Sequence, residues 1–167
     1  MTTILYPTDF SVYSEHAFLT ACDLARGRCA KLTVLHVISP ECCHHEYLDG
    51  GDLDRNSHLF LNCQAKFDRL LELANDTPIA FRIKVGRPVS AICCVAQQEC
   101  CDLIVLAGQQ HSLAGQRHNF SNFQFHGSVS ERLERRAPCP VLCLRQTKFH
   151  QPPRRILDGL QRQLQLS

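Results

Sequence analysis

Short apolar runs alternating with stretches of helical spacing constrain this chain more than any other feature of it. The first run, Ile4-Leu5-Tyr6-Pro7, closes in Thr8-Asp9-Phe10-Ser11 and reads as a strand ending in a loop. Ser14 is then placed to cap a helix to about residue 28, with Ala17, Phe18, Ala21, Leu24 and Ala25 as its apolar stripe. Residues 31–38, KLTVLHVI, form a second strand apolar enough to be covered on both faces. Residues 39–54 are polar, hold Gly50-Gly51, and read as a long loop. A helix over about 53–75 turns Phe60, Cys63, Phe67, Leu70, Leu71 and Ala74 inward. Residues 78–85 alternate Ile79, Phe81, Ile83 and Val85 as a third strand. Gly86-Arg87-Pro88 opens a helix through residue 100, with Pro88 near its first turn. DLIVLA at 102–107 is the fourth strand. A polar loop over 108–126 carries Phe120, Phe123 and Phe125, and a short helix spans about 128–136. The last strand, 140–144, follows Pro138 and Pro140, where a missing N–H is tolerated.

Strand and helix therefore alternate from the first run to the last, which implies a parallel sheet with helices on both faces. No internal repeat is present, and 167 residues suit one domain. Residues 146–167 stand apart. Gln151-Pro152-Pro153 breaks the chain, and Ile156, Leu157, Leu160 and Leu164 then recur at helical spacing beside Arg154, Arg155 and Arg162. This predicts a C-terminal extension with a short amphipathic helix.

Composition narrows the function. Apolar residues make up 44% and charged residues 20%, ordinary for a soluble globular chain. The net charge of +2, with a pI near 8.0, is too mild to argue for nucleic acid. No apolar run approaches ~20 residues, so no membrane span is expected. Met1-Thr2-Thr3-Ile4 lacks the basic start of a signal peptide. The eleven cysteines are odd in number and mostly inside apolar segments, Cys22, Cys93, Cys94 and Cys143 among them. Reduced thiols acting as small hydrophobes are the better reading, with a cytoplasmic location and no disulfide.

In an open parallel sheet ligands collect at the carboxyl ends of the strands, where strand order reverses. Those ends carry Asp9, then Val37 and Ile38, then Gly108, with Gly127-Ser128 opening the next helix. Backbone N–H groups and the helix dipole favour an anion there, and Ser128 adds a hydroxyl donor. Asp9 is suited to accept from a base amine or a ribose hydroxyl. The same residues also serve as ordinary punctuation: a turn glycine at Gly108, a helix cap at Gly127-Ser128, and an N-cap or Asx turn at Asp9.

Several blocks, in this order, resemble the universal stress protein family: Ile4 through Ser11; Leu35-His36-Val37-Ile38; Val85-Gly86-Arg87-Pro88; Asp102 through Gly108; Gly127-Ser128-Val129-Ser130-Glu131-Arg132-Leu133; and Ala137-Pro138-Cys139-Pro140-Val141-Leu142. The resemblance covers roughly residues 2–145. It implies an α/β fold of the adenine nucleotide alpha hydrolase-like, Rossmann-like type, a five-stranded parallel sheet of order 3-2-1-4-5 with helices on both faces. The domain would be residues 1–145, with 146–167 as the extension. The family's nucleotide-binding members carry G-x2-G-x9-G-[ST] after strand four. Gly108 matches the first glycine and Gly127-Ser128 the last pair. His111 stands where the middle glycine belongs, and the spacer is about six residues longer. The resemblance assigns the base and ribose side to Asp9 and Val37 and the phosphate motif to Gly108, His111, Gly127 and Ser128, with Pro7, Thr8, Ala107 and Val129 completing the expected nucleotide site. The implied ligand is AMP, or ATP with magnesium, in a stress-response regulatory domain that is at most a weak ATPase. The alternative is a dimeric interaction module without nucleotide. The expected partners are a second copy, paired through the last strand, and a signalling protein the sequence does not name; neither nucleic acid nor membrane is expected.

Two other constellations carry less. Cys42-Cys43-His44-His45-Glu46 holds zinc-type donors, but adjacent residues in an extended loop point apart. Cys93-Cys94 and Cys100-Cys101 lie on or beside a helix, where neighbours do not face each other, so core filling suits the first pair. No G-x-S-x-G elbow is present, and no nucleophile has a general base beside it.

Overall fold

In a computed structural model the described residues are 2–43, 57–74, 77–108 and 129–145. Among them run β1 (Thr3–Thr8), α1 (Val12–Gly27), β2 (Lys31–Ile38), a short 3-10 turn (Pro40–Cys42), α2 (His58–Glu72), β3 (Ile79–Val85), α3 (Pro88–Gln98), β4 (Leu103–Gly108), α4 (Val129–Arg136) and β5 (Val141–Arg145). The strands form one five-stranded sheet of order β3-β2-β1-β4-β5, every pairing parallel. The parallel sheet is the one expected from the alternation, and its order is the one the family resemblance implied. The extension beyond residue 145, with its expected helix, lies outside the described residues.

The two-residue period of the strands sorts side chains onto two faces. Ile4, Tyr6, Leu32, Val34 and Val105 pack with α1 and α2, through Ala17, Phe18, Ala21, Ala25, Phe67 and Leu70. Leu5, Leu35, Ile104 and Leu106 pack on the other face with α3 and α4, through Val89, Ile92, Val95 and Leu133. Ile4, Leu5, Leu32, Val34, Leu35, Ile104 and Val105 are fully buried. Truncating any one of the buried leucines to alanine should cost about 2–5 kcal/mol.

Several boundaries differ from the sequence reading. The N-cap of α1 is Ser11, not Ser14. Ser14 sits inside the first turn, buried, with its hydroxyl donating to the Ser11 carbonyl at 2.7 Å. Helix α2 begins at His58 rather than near residue 53, because the Ser57 hydroxyl accepts from the Phe60 N–H and starts the helix there. Leu71 is 41% exposed, not inward, while Cys63, Phe67, Leu70 and Ala74 are buried and Phe60 is partly so. Cys94 is exposed, so it fills no core, and Cys93 is half-buried with its thiol directed at the Arg136 carbonyl. Cys22, Cys43, Cys63 and Cys101 are the buried thiols. Burial lifts Cys22 to about 11 and Cys101 to about 12, far from thiolate chemistry at neutral pH.

Candidate functional site

The strand order reverses between β1 and β4, and the ladder between these two strands stops short of their carboxyl ends. The ladder of β1 with β2 runs from Thr3 to Thr8, whereas its ladder with β4 pairs only Ile4 with Leu103 and Leu5 with Ile104. Pro7 gives a local reason. The Thr2 carbonyl accepts from Lys31 in β2 and the Thr3 carbonyl from Asp102 before β4, so hydrogen-bonding groups alternate between the two neighbours. By that alternation Pro7 faces β4, and it has no N–H to offer. The switch point lies where β1 ends at Thr8-Asp9 and β4 at Ala107-Gly108.

Asp9 is exposed at this edge, and its Oδ1 accepts from the Ser11 N–H at 2.9 Å. This is the Asx turn, one of the alternatives the sequence left open, and it leaves the second carboxylate oxygen outside that bond. Between them Phe10 takes a left-handed backbone, φ 57°, which an L-residue adopts only where surrounding contacts fix it. The contacts are present. The Phe10 N–H donates to Thr8 Oγ1 at 3.0 Å, and the Phe10 ring lies against His36 at 4.7 Å and Phe81 at 6.4 Å. Lys66 Nζ stands 5.8 Å from the Phe10 ring centroid.

Beneath the turn lies a ladder of hydroxyl groups. Thr8 Oγ1 and Ser14 Oγ are 3.2 Å apart, and the Tyr6 hydroxyl donates to the Ser14 carbonyl at 2.5 Å. Burial, partly offset by bonds to Ser14 and Thr8, pushes the Tyr6 phenol up to about 12, so it is a fixed donor. The Thr8 side chain is thus engaged with the first turn of α1, on the α1 face of the sheet. His36 in β2 sits level with Thr8, and its Nδ1 is 2.8 Å from the Thr8 carbonyl. Since a carbonyl only accepts, Nδ1 carries the proton.

The structure brings Pro7, Thr8, Asp9, Val37, Ala107 and Gly108 to one edge of the sheet. Val37 is half-buried toward the α3 face, and Gly108 is buried. Val129 is the first residue of α4, half-buried against the same face. His111, Gly127 and Ser128 lie outside the described residues, as do His44, His45 and Glu46. Among the described residues no group of three or more His, Cys, Asp or Glu converges as a metal site, and no helix is long and apolar enough to cross a membrane. Sequence reasoning missed the roles of Phe10 and His36, and it placed Ser14 as a cap rather than in the hydroxyl ladder. A lone imidazole in an otherwise apolar strand, KLTVLHVI, was the one available signal.

The profile of the Universal stress protein family matches residues 1–145. A candidate universal stress protein of Staphylococcus aureus (strain USA300) is 29% identical over 143 residues, 85% of this chain and 82% of that one. Among solved structures, a universal stress protein in complex with cAMP superposes with a TM-score of 0.62 at 24% identity, covering 87% of this chain and 98% of its own. A family protein from Arabidopsis thaliana with AMP bound gives a TM-score of 0.58 at 16% identity, covering 91% and 97%.

Proposed function

This chain belongs to the universal stress protein family, and from that membership we propose that it binds an adenine nucleotide at the carboxyl edge between β1 and β4. The end of the β1–β4 ladder at Leu5, with Asp9 following one strand and Gly108 closing the other on the same edge, is the observation that carries the reading. The carboxyl edge at a switch point is where parallel sheets take their ligands. The exposed Asp9 carboxylate suits a base amine or ribose hydroxyl, and the family relatives solved with cAMP and AMP keep adenine nucleotides in this fold. A monophosphate is favoured over ATP with magnesium. His111 replaces the glycine that would let backbone approach the distal phosphates, so a ligand with one phosphate depends less on that loop. The nucleotide acts as a conformational signal in a cytoplasmic stress-response domain, passed to a protein partner; hydrolysis, if any, is slow.

A second reading has its own support. Strand β5 is an edge of the sheet, and Leu142 on it is 36% exposed. An apolar edge invites a second chain, which favours a homodimer through β5 and would serve an interaction module with no ligand equally well. Thermal unfolding with AMP, ADP and ATP, with and without magnesium, separates the readings. A ligand held only by the folded state raises its stability by about 2.7 kcal/mol at a hundredfold excess over Kd. A rise with AMP supports the nucleotide site; no rise with any of the three at millimolar concentration leaves the interaction module.

A further inference from the structure

The geometry points to His36 as a positioning residue for Asp9: it holds the β1–α1 turn in the shape that adenine nucleotide recognition requires, without itself touching the ligand. The inference rests on the nucleotide reading of the same edge and deepens it. Asp9 is flanked by two residues, and His36 holds both. On one side the Thr8 carbonyl accepts from His36 Nδ1 at 2.8 Å. On the other the Phe10 ring rests on the imidazole, centroids 4.7 Å apart with a 43° tilt between planes. Phe10 pays for this placement with a left-handed backbone, unfavourable for an L-residue by roughly 1–2 kcal/mol. Such a conformation persists only where neighbours over-determine it, and it is found where a chain must aim a functional group.

The remaining contacts complete the clamp. Phe81 stacks on Phe67 at 4.2 Å, and Phe10 meets Phe81 from above, so the turn stands on the aromatic packing of α2 and β3. The Asp9 carboxylate closes the turn through the Ser11 N–H. Asp9 itself is exposed, and that bond holds its carboxylate from within the same turn. Its aim is therefore inherited from Thr8 and Phe10, and through them from one imidazole in β2. An aliphatic residue in that place would fill the volume but leave the Thr8 carbonyl without its side-chain donor and Phe10 without a polar ring to lie on.

Five chains test this: wild type, His36→Leu, His36→Asn, Asp9→Ala, and His36→Leu combined with Asp9→Ala, which closes the cycle. Asparagine keeps a donor at the δ position. AMP affinity is measured by calorimetry at a temperature where each chain is folded. His36→Leu should weaken AMP about tenfold, equivalent to ~1.4 kcal/mol, and His36→Asn should recover most of it. Asp9→Ala should cost less in the His36→Leu background than in wild type, since its aim is already lost. Wild-type affinity in His36→Leu, or strictly additive losses, would overturn the inference. Should His36→Leu not fold, His36→Gln replaces it; its amide lies one carbon further out, and the same loss is expected. If wild type takes up no AMP, the nucleotide reading fails, and amide hydrogen exchange decides the positioning claim. Exchange at Phe10 and Ser11 should quicken about tenfold in His36→Leu and return in His36→Asn. Unchanged exchange would show that His36 holds nothing there.

Discussion

His36 is neutral at neutral pH. Burial lowers its pKa below the usual 6.5; the bond to Thr8 opposes this, Lys66 adds to it, and Asp9 opposes it. A histidine depressed in the native state is protonated first in the unfolded chain, so stability holds above about pH 6.5 and falls as pH drops below it. Urea denaturation at pH 7.5 and 5.5 should show this loss, and His36→Asn should reduce it; equal pH dependence in the two chains would contradict the account. Glu99 has the opposite sign. Burial would raise its pKa, but the Thr33 hydroxyl at 2.7 Å, Lys31 at 3.2 Å and Arg82 at 3.0 Å hold the carboxyl below its ordinary value. Its contribution is present above about pH 4.5 and lost as pH falls through the lower native value. Glu99→Gln should cost about 1–2 kcal/mol at pH 7. The gap between it and wild type should close on acidification, which the same titration reads. At this scale Asp9 was legible because a carboxylate after an apolar strand has few roles. Phe10 was not, since no pattern marks a phenylalanine for a left-handed turn, and Ser14 was misplaced because Ser11 competes for the same cap.

Helices α1 and α3 end alike. Each closes in a Schellman motif: Ala30 donates to the Ala25 carbonyl and Cys29 to Arg26, while Cys101 donates to Ala96 and Cys100 to Gln97. The residue that must turn left-handed is a cysteine both times, Cys29 at φ 49° and Cys100 at φ 48°, and both are exposed. Glycine is the usual occupant because it has no Cβ to clash. Cys29→Gly and Cys100→Gly should each stabilise the fold by about 0.5–1 kcal/mol, net of the entropy glycine adds to the unfolded chain. Destabilisation in denaturant melts would mean that the thiols make contacts which matter more. Every strand and the apolar stripe of α1 were legible, because periods of 2 and 3.6 residues survive in a single sequence. Starting points were less so. The Ser57 cap follows Asp54-Arg55-Asn56, which offers caps of its own, and Leu71 is apolar, yet it lies on the exposed side of α2.

Alternation and the right-handed crossover rule leave few arrangements for strands joined by helices, and the family resemblance singled out the order the sheet has. The site was legible only in part. Its β1, β2 and β4 lips are strand ends, whereas the phosphate side was read on residues 108–128, whose departures from the family pattern no periodicity can resolve. At this scale the edge strand β5 predicts association. Sedimentation at micromolar concentration should give twice the chain mass of 18.9 kDa, and Cys143→Pro, by removing an N–H on the side of β5 away from β4, should shift it toward monomer. A wild-type chain that stays monomeric at high micromolar concentration would contradict pairing through this edge. The nucleotide site itself is tested most directly by following backbone amides of isotopically labelled protein by NMR while AMP is added. The account predicts the largest shifts at Thr8, Asp9, Phe10, Val37, Ala107 and Gly108. Absence of shifts at millimolar AMP, or shifts confined to the opposite edge around Thr3, Lys31 and Asp102, would contradict it.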